Sequence, residues 1–169
     1  NGSQAGFHNV LGYYTKDING NMEAHIIYVE NNSMVGSKSN MLGTLNNLTG
    51  EVGFFIIPDG GDKGITTSSS ISFNTNGQML INGTVQKVYY TDNDLNSDGL
   101  DHVVAGMAEN GTGLVLAFED LQLGDKDYDD VVITINACET LSGEEYTVDL
   151  GKISEGEQQY FWNGDSNDN

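Results

Sequence analysis

The apolar residues of this chain lie in short runs separated by polar, glycine-rich segments. The clearest runs are Leu114–Phe118 and Val131–Ile135, which are rich in Val, Ile and Leu. Runs of this length and composition, with glycine at a boundary, are typical of strands rather than helices. The same pattern predicts further strands at Val10–Thr15, Glu23–Glu30, Val52–Ile57, Ser70–Asn74, Gly83–Thr91 and Val103–Ala108.

The signals between these runs complete the prediction of the fold. Val52–Ile57 is almost continuously apolar, which predicts a central strand buried on both faces. Turns are expected at Asp17–Gly20 and at the Asn82–Gly83 pair. The polar segment Asn31–Asn47 is predicted to form a short helix or a long loop. The fold class is therefore all-β: an antiparallel β-sandwich with long loops and at most one or two short helices.

The segment between Phe118 and Val131 is strongly acidic. It carries one cation, Lys126, and six carboxylates: Glu119, Asp120, Asp125, Asp127, Asp129 and Asp130. Two carboxylates a few Å apart repel by roughly 1 kcal/mol in water and about 4 kcal/mol at an effective dielectric of 20. A folded loop that gathers them needs a counter-ion, and oxygen ligands without nearby His or Cys favour calcium. The predicted fold is therefore a calcium-stabilised antiparallel β-sandwich. The alternative is a solvated acidic loop that only aids solubility.

A second acidic loop precedes the strand predicted to begin at Val103. Alternate oxygen-bearing residues followed by glycine are typical of the opening of an EF-hand-type calcium loop. Here these residues are Asp94, Asn96, Asp98 and Gly99. The closing Glu of an EF-hand is missing, because Ala105 stands at its position. We therefore interpret the segment as a calcium loop of another kind, in which further acids complete the shell or hold a second ion: Asp92 and Asp101.

Strand reversal predicts that the two acidic loops meet. The first loop precedes the strand near Val103, and the second follows Phe118. With a turn at Glu109–Thr112 between antiparallel strands, both loops fall at one end of the sheet. We expect a single face there that binds several calcium ions.

The loop after the strand at Val52–Ile57 has two interpretations. Its sequence is PDGGDKG, which includes Asp59, Asp62 and Lys63. In the first interpretation it is a turn whose glycines take positive φ. In the second it lies on the rim of a ligand site, where glycine amides meet an anionic group.

The net charge of the chain excludes two classes of binding partner. The chain has 169 residues, 25 Asp and Glu against six Lys and no Arg, and a net charge of −19. This charge argues against nucleic acid and against anionic membrane surfaces as partners. The sequence has no apolar run of about 18 residues, the length that would predict a membrane span.

We expect a single domain over residues 1–162 with a polar tail at 163–169, and no signal peptide is visible. Millimolar calcium outside the cell favours secretion.

Four pieces of the chain together resemble a known family. They are LGYY (11–14), VGFFIIPDGG (52–61), DNDLNSDGLDH (92–102) and GLVLAFEDLQLGDKDYDDVVITI (113–135). They are similar to the calcium-dependent peptide-binding domains in the ligand-binding region of bacterial RTX adhesins. The resemblance spans roughly residues 10–136 and is most specific in the last piece.

The resemblance implies a calcium-rich β-sandwich that captures short peptide segments, in some members through a terminal carboxylate bound to calcium. The metal positions that it implies are Glu119, Asp120, Asp125, Asp127 and Asp130, followed by the loop with Asp92, Asp94, Asn96, Asp98 and Asp101. The ligand-binding positions are Asp59, Gly60, Gly61, Lys63, Gly99 and His102. Asp129 stands where the family tolerates Asn.

The function expected from these observations is that of an extracellular adhesin module, not of an enzyme. It would bind a peptide or protein on a host or neighbouring cell surface, as a monomeric module within a longer chain on the bacterial surface. A calcium-dependent carbohydrate-binding module is the alternative, in which sugar hydroxyls replace the carboxylate. Catalysis is disfavoured because crowded polar acids suit metal binding better than tuned acid–base chemistry. The histidines His8, His25 and His102 also lie in no catalytic motif.

Overall fold

The structure is a computed structural model that describes residues 8–30, 40–108, 111, 113–121, 128, 130–140 and 145–154. These residues form twelve strands and one 3-10 turn at Asn93–Leu95. The strands are β1 Val10–Lys16, β2 Met22–Val29, β3 Asn40–Leu48, β4 Glu51–Ile57, β5 Ile71–Phe73, β6 Met79–Ile81, β7 Thr84–Val85, β8 Tyr89–Tyr90, β9 Val103–Met107, β10 Leu114–Phe118, β11 Val131–Thr140 and β12 Tyr146–Ser154.

The strands form three sheets in which every neighbouring pair is antiparallel. The middle sheet has the order β2-β1-β4-β8, the large sheet β3-β12-β11-β10-β9 and the small sheet β5-β6-β7. The prediction of an all-β antiparallel fold is therefore confirmed. The predicted tail at 163–169 lies outside the described residues.

Both faces of the middle sheet carry buried apolar residues. Leu11, Phe54 and Ile56 pack in one apolar cluster with residues of the large sheet such as Phe118 and Ile133. The other face of the middle sheet packs in a second cluster with the small sheet. Burial of these two apolar faces is the main favourable contribution to folding. The sandwich thus has three layers, with the middle sheet shared by both cores.

The prediction for Val52–Ile57 is confirmed in this arrangement. Phe54 belongs to one apolar cluster and Phe55 to the other, because successive side chains of a strand point to opposite faces. Glycine is required beneath two of the rings. A Cβ on Gly12 would collide with the ring of Phe55, and one on Gly53 with the ring of Tyr14.

The prediction of a helix or loop within Asn31–Asn47 is wrong for the part that the structure describes, since residues 40–48 form β3. Leu42, Leu45 and Leu48 all pack against the core, at a spacing of three that suggests a helix. The strand accommodates the spacing of Leu45 and Leu48 because its register shifts opposite Tyr146–Val148, where these two residues face partners only two positions apart. Residues 31–39 lie outside the described part.

The segment Gly83–Thr91, predicted as one strand, is divided between two layers. β7 belongs to the small sheet and β8 to the middle sheet. The turn at Asn82–Gly83 is confirmed: φ is 50° and 80° at the two residues, as a two-residue hairpin turn requires. The break follows Gln86, whose amide donates to the Met79 carbonyl at 3.0 Å and ends the small sheet.

Candidate metal centre

The two acidic loops approach each other at one end of the large sheet. Phe118 pairs with Val131 on one side and with Val103 on the other. The loop that ends before Val103 and the loop that begins after Phe118 are therefore neighbours at this point. The backbone amide of Glu119 donates to the carbonyl of His102 at 2.9 Å. The expectation that the loops share one end is confirmed for this part of the chain.

Three carboxylates come together at this end. Each of Glu119, Asp120 and Asp130 offers an oxygen, and these oxygens all lie within 4.8 Å of one another. Glu119 is 4% exposed and Asp120 is 2% exposed, while Asp130 is half-buried. We refer to these three side chains as the carboxylate cluster. In the described part of the chain it is the one group of three or more acidic, His or Cys side chains with this geometry.

Hydrogen bonds fix the positions of two of these carboxylates. Asp130 Oδ2 accepts from the backbone amide of Asp120 at 2.8 Å, which ties the two ends of the loop together. Asp120 Oδ2 accepts from Asn9 Nδ2 at 2.8 Å. The loop therefore presents its carboxylates in a defined arrangement before any cation is considered.

Asn9 is a buried residue that sequence reasoning missed. Its side chain bonds Asp120, its Oδ1 accepts from the amide of Asp59 at 3.2 Å, and its own amide donates to Glu30 Oε2 at 3.0 Å. It thus connects the carboxylate cluster to the beginning of β1 and to the loop that follows β4. A lone Asn before a strand carries no signal of this role, because the contact with Asp120 depends on the packing of two sheets.

The chemistry of the cluster suits a hard cation. Carboxylates removed from water repel each other more strongly than exposed ones, because the surrounding dielectric is lower. Calcium takes oxygen ligands in flexible geometries and prefers carboxylates to nitrogen or sulfur donors. The residues present fit such an ion, with Glu119, Asp120 and Asp130 as ligands. The other predicted ligands in this loop, Asp125 and Asp127, lie outside the described residues, as does Asp129.

The other predicted calcium loop is organised differently from the expectation. Asn96 is 6% exposed, and its Oδ1 accepts from the amide of Tyr90 at 2.8 Å. Its Nδ2 donates to the carbonyls of Tyr90 and Leu100. The Asn96 side chain therefore secures the loop to β8. Gly99 has φ of 66°, which permits the bend predicted there.

The acids of this loop are spread out rather than gathered. Asp92 Oδ1 accepts from the amide of Asp94, and its Oδ2 lies 3.3 Å from Lys16 Nζ. Lys16 is at the end of β1 farthest from Asn9 and hence from the carboxylate cluster. Asp94 and Asp101 are exposed. The structure does not bring Asp92, Asp94, Asn96, Asp98 and Asp101 into one group, and a calcium ion in this loop remains a prediction.

Asp98 and His102 form the part of this loop that reaches the carboxylate cluster. His102 is 2% exposed, its Nε2 lies 3.0 Å from Asp98 Oδ2 and its Nδ1 lies 3.3 Å from the carbonyl of Glu119. Its ring stacks on Tyr89 at 3.5 Å between centroids. Burial opposes ionisation of Asp98, but hydrogen bonds from the Leu100 amide and from His102 outweigh it and hold the pKa of Asp98 below its ordinary value. His102 was predicted to contact ligand; its burial instead suits positioning of Glu119.

The loop after β4 is a compact turn. The amides of Gly60 and Gly61 donate to the carbonyls of Ile57 and His8, so neither points to an outside anion. Asp59 has φ of 57°, and its amide bonds Asn9. Lys63 Nζ is bonded to the Pro58 carbonyl at 2.7 Å and makes no ion pair among the described residues. Of the residues predicted here to bind ligand, Lys63 is the one with a positive charge.

Residues 49–138 match the family model of a domain of unknown function, DUF4114. The chain belongs to this family. No curated protein and no solved structure matched it. The part that matches DUF4114 includes the whole carboxylate cluster and the loop after β4, whereas Asn9 lies outside it. In the described part of this DUF4114 chain, no helix is long and apolar enough to cross a membrane.

The pH dependence of the turn after β4 gives a first prediction. His8 Nδ1 lies 2.7 Å from Asp62 Oδ1. This hydrogen bond, reinforced by the negative charges of Asp62, Glu30 and Asp59 against the opposing effect of burial, raises the pKa of His8 above 6.5. Because the folded pKa is the higher one, the stabilisation is complete below about pH 6.5. It is lost as the pH rises through the folded pKa.

We expect NMR titration of the His8 ring to give a pKa above that of an unperturbed histidine. The variant Asp62→Asn should return this pKa toward the ordinary value, because it removes the carboxylate. His25 in the same spectra serves as an internal reference for the effect of the substitution. An unchanged His8 titration in Asp62→Asn would show that the pair does not form in solution.

Proposed function

We propose that this domain is a calcium-dependent ligand-binding module of an extracellular adhesin. The observation that supports the proposal most directly is the carboxylate cluster, in which Glu119, Asp120 and Asp130 gather at one end of the sandwich. Two of the three are almost fully buried. The carboxylates of such a site repel each other, and a divalent cation between them relieves this repulsion. Extracellular calcium is abundant enough to fill sites of modest affinity.

The ligand in this proposal is a peptide segment with a free C-terminal carboxylate. A net charge of −19 repels anionic peptides at long range. A bound calcium ion reverses the local field, because its charge of +2 is the largest in the site. The ligand carboxylate would occupy a coordination position that the protein does not fill. Lys63, whose ammonium has no carboxylate partner among the described residues, supplies a second attraction near the same end.

Several parts of the molecule support a shared ligand face. Asn9 bonds both Asp120 and the amide of Asp59, which places the turn after β4 next to the carboxylate cluster. Asp98 approaches the same place through His102. The ligand would come from a protein on a host or neighbouring cell surface, and the function would be attachment of bacteria to surfaces or to one another.

The test compares two peptides that differ only at the C-terminus. With excess calcium, calorimetry should show that a peptide acid binds at least about tenfold more tightly than its amide, a difference of about 1.4 kcal/mol. The variant Lys63→Gln should reduce the difference between the acid and the amide, because it removes the second attraction. Glu145→Gln, at an exposed carboxylate before β12, is the control for a change of one surface charge elsewhere.

Equal affinities for the acid and the amide would remove the carboxylate from the mechanism. A glycan array in the same calcium buffer then distinguishes the alternative. Binding of a sugar with vicinal hydroxyls that is abolished by EGTA would assign the site to a carbohydrate-binding module.

A further inference from the structure

A second recessed surface lies away from the carboxylate cluster. It is a groove of about 620 Å³ between residues 22–26 of β2 and residues 67–73, which include β5. The carboxylate cluster adjoins Asn9, whereas this groove follows the half of β2 that pairs with the far end of β1. The groove is therefore not part of the proposed calcium site.

Both walls of the groove are edge strands. β2 is the first strand of the order β2-β1-β4-β8, and β5 is the first of β5-β6-β7, so among the described residues each is paired on one side only. An edge strand presents backbone N–H and C=O groups that are available to another chain. The open sides of β2 and β5 thus border the same recess.

The phase of the β1–β2 ladder shows which backbone groups point into the groove. The Asp17 amide donates to the Asn21 carbonyl at 3.0 Å, and hydrogen-bonded positions alternate along an antiparallel pair. The register continues without a shift through Glu23 and His25, whose backbone groups therefore face β1. The residues between them direct their amides and carbonyls to the open side: Met22, Ala24 and Ile26.

The side chains define the pattern that an added strand would need. Met22, Ala24 and Ile26 point toward the apolar core beneath the small sheet, as do Ile71 and Phe73 on the opposite wall. Glu23 and His25 lie on the opposite face of β2, the one turned toward the large sheet, and both are exposed. A strand added to β2 would therefore carry apolar side chains at alternate positions on the inner side and polar ones beside Glu23.

The charge of this region favours a basic segment. The Glu23 side chain is 76% exposed, and its Oε1 lies 3.3 Å from His25 Nε2. The nearest lysine along the ladder, Lys16, opposite Met22, is already shared between Glu51 at 3.6 Å and Asp92 at 3.3 Å. The local balance is thus negative, in agreement with the net charge of the chain.

We propose that the groove binds an extended peptide with alternating apolar and basic residues, which adds to the middle sheet as a strand antiparallel to β2. Its backbone bonds the open groups of Met22, Ala24 and Ile26, and its basic side chains lie beside Glu23. Such strand addition gives affinity through main-chain hydrogen bonds and specificity through alternate side chains. This binding mode requires neither calcium nor a terminal carboxylate.

The test uses the peptide Ac-TVKVTVK-NH2, whose blocked terminus cannot bind calcium as a carboxylate. Calorimetry on the calcium-loaded protein should show binding that is unchanged by Lys63→Gln. A peptide N-methylated at alternate residues on its bonding edge should lose detectable binding, and Ac-TVEVTVE-NH2 should bind at least about tenfold more weakly. Failure of the carboxylate test above and failure of this test are therefore independent results.

Protein variants and amide exchange locate the interaction. Ala24→Pro removes an amide that β1 does not use and should weaken peptide binding by about tenfold or more, whereas Ala24→Ser retains the amide and should bind normally. Peptide binding should slow hydrogen exchange at Ala24 and Ile26 but not at Glu23 and His25, whose amides already pair with β1. If Ala24→Pro fails to fold, the N-methylated peptide and the exchange pattern still decide.

Two results would overturn the proposal. The first is equal affinity for the parent and N-methylated peptides, since strand addition cannot tolerate the loss of those amides. The second is absence of peptide binding together with self-association of the wild-type protein in sedimentation, if the Ala24→Pro variant no longer self-associates. In that case the occupant of the groove is a second copy of this chain.

Discussion

Calcium is expected to raise the melting temperature of this domain by several degrees for each ion that binds. Binding to the folded state alone adds RT ln(1 + [L]/Kd), which is about 2.7 kcal/mol for each site at a hundredfold excess of calcium over Kd. For a domain of this size that corresponds to roughly 5–10 °C per site. The physical reason is the burial of Glu119 and Asp120 beside Asp130, where a cation replaces repulsion by attraction.

The measurement is a pair of calorimetric melting curves, one in calcium and one in EGTA. Magnesium at the same concentration is the control for ionic strength, and it should stabilise less because it loses its hydration water reluctantly. Superimposable curves in calcium and EGTA would contradict the metal assignment. The acidic loop would then be a solvated segment that adds only to solubility.

The substitution Asp120→Asn should have opposite effects in the two conditions. With calcium, it removes a buried anionic ligand and should lower calcium affinity by about tenfold or more, about 1.4 kcal/mol. Without calcium, it removes one of three clustered negative charges and should stabilise the fold by about 1 kcal/mol. The amide oxygen of Asn can still accept the hydrogen bond from Asn9.

Chemical denaturation in calcium and in EGTA measures both effects on the same samples. Glu145→Gln is the control, because this exposed carboxylate precedes β12 at the end of the large sheet opposite to Val131. Its stability should match that of the wild type in both conditions. Destabilisation by Asp120→Asn in EGTA as well as in calcium would mean that the carboxylate is a structural hydrogen-bond acceptor and that the metal lies elsewhere.

Much of this fold follows from local sequence pattern. The strands at Leu114–Phe118 and Val131–Ile135 were predictable because branched apolar residues concentrate there and acids interrupt them. Their pairing as a hairpin placed Glu119, Asp120 and Asp130 at the loop ends, and hence close together. This part of the candidate site required no contact between distant parts of the chain.

Contacts between distant segments were not predictable in this way. Asn9 and Asp120 are 111 positions apart, and they meet only because the middle and large sheets pack face to face. The role of Asn96 could not be predicted from the sequence pattern either. A D-x-N-x-D-G pattern serves both calcium loops and turns stabilised by Asn or Asp side chains, and the position of β8 beside the loop decides which acceptors and donors Asn96 meets. The bulged strand β3 was missed for a similar reason, since its partner β12 compensates for the irregular spacing.

The position of β12 has a consequence for the order in which the chain can fold during synthesis. β12 is the last of the described strands, yet it lies between β3 and β11 in the large sheet. Leu48 must therefore wait for Tyr146 to leave the ribosome before β3 gains its pairing partner. Pairing between segments so far apart is slow, and it exposes apolar strand edges in the meantime. A nascent chain that has not yet produced β12 can close the β1–β2 hairpin but not the large sheet, so the domain should reach its native state only after most of it has been translated.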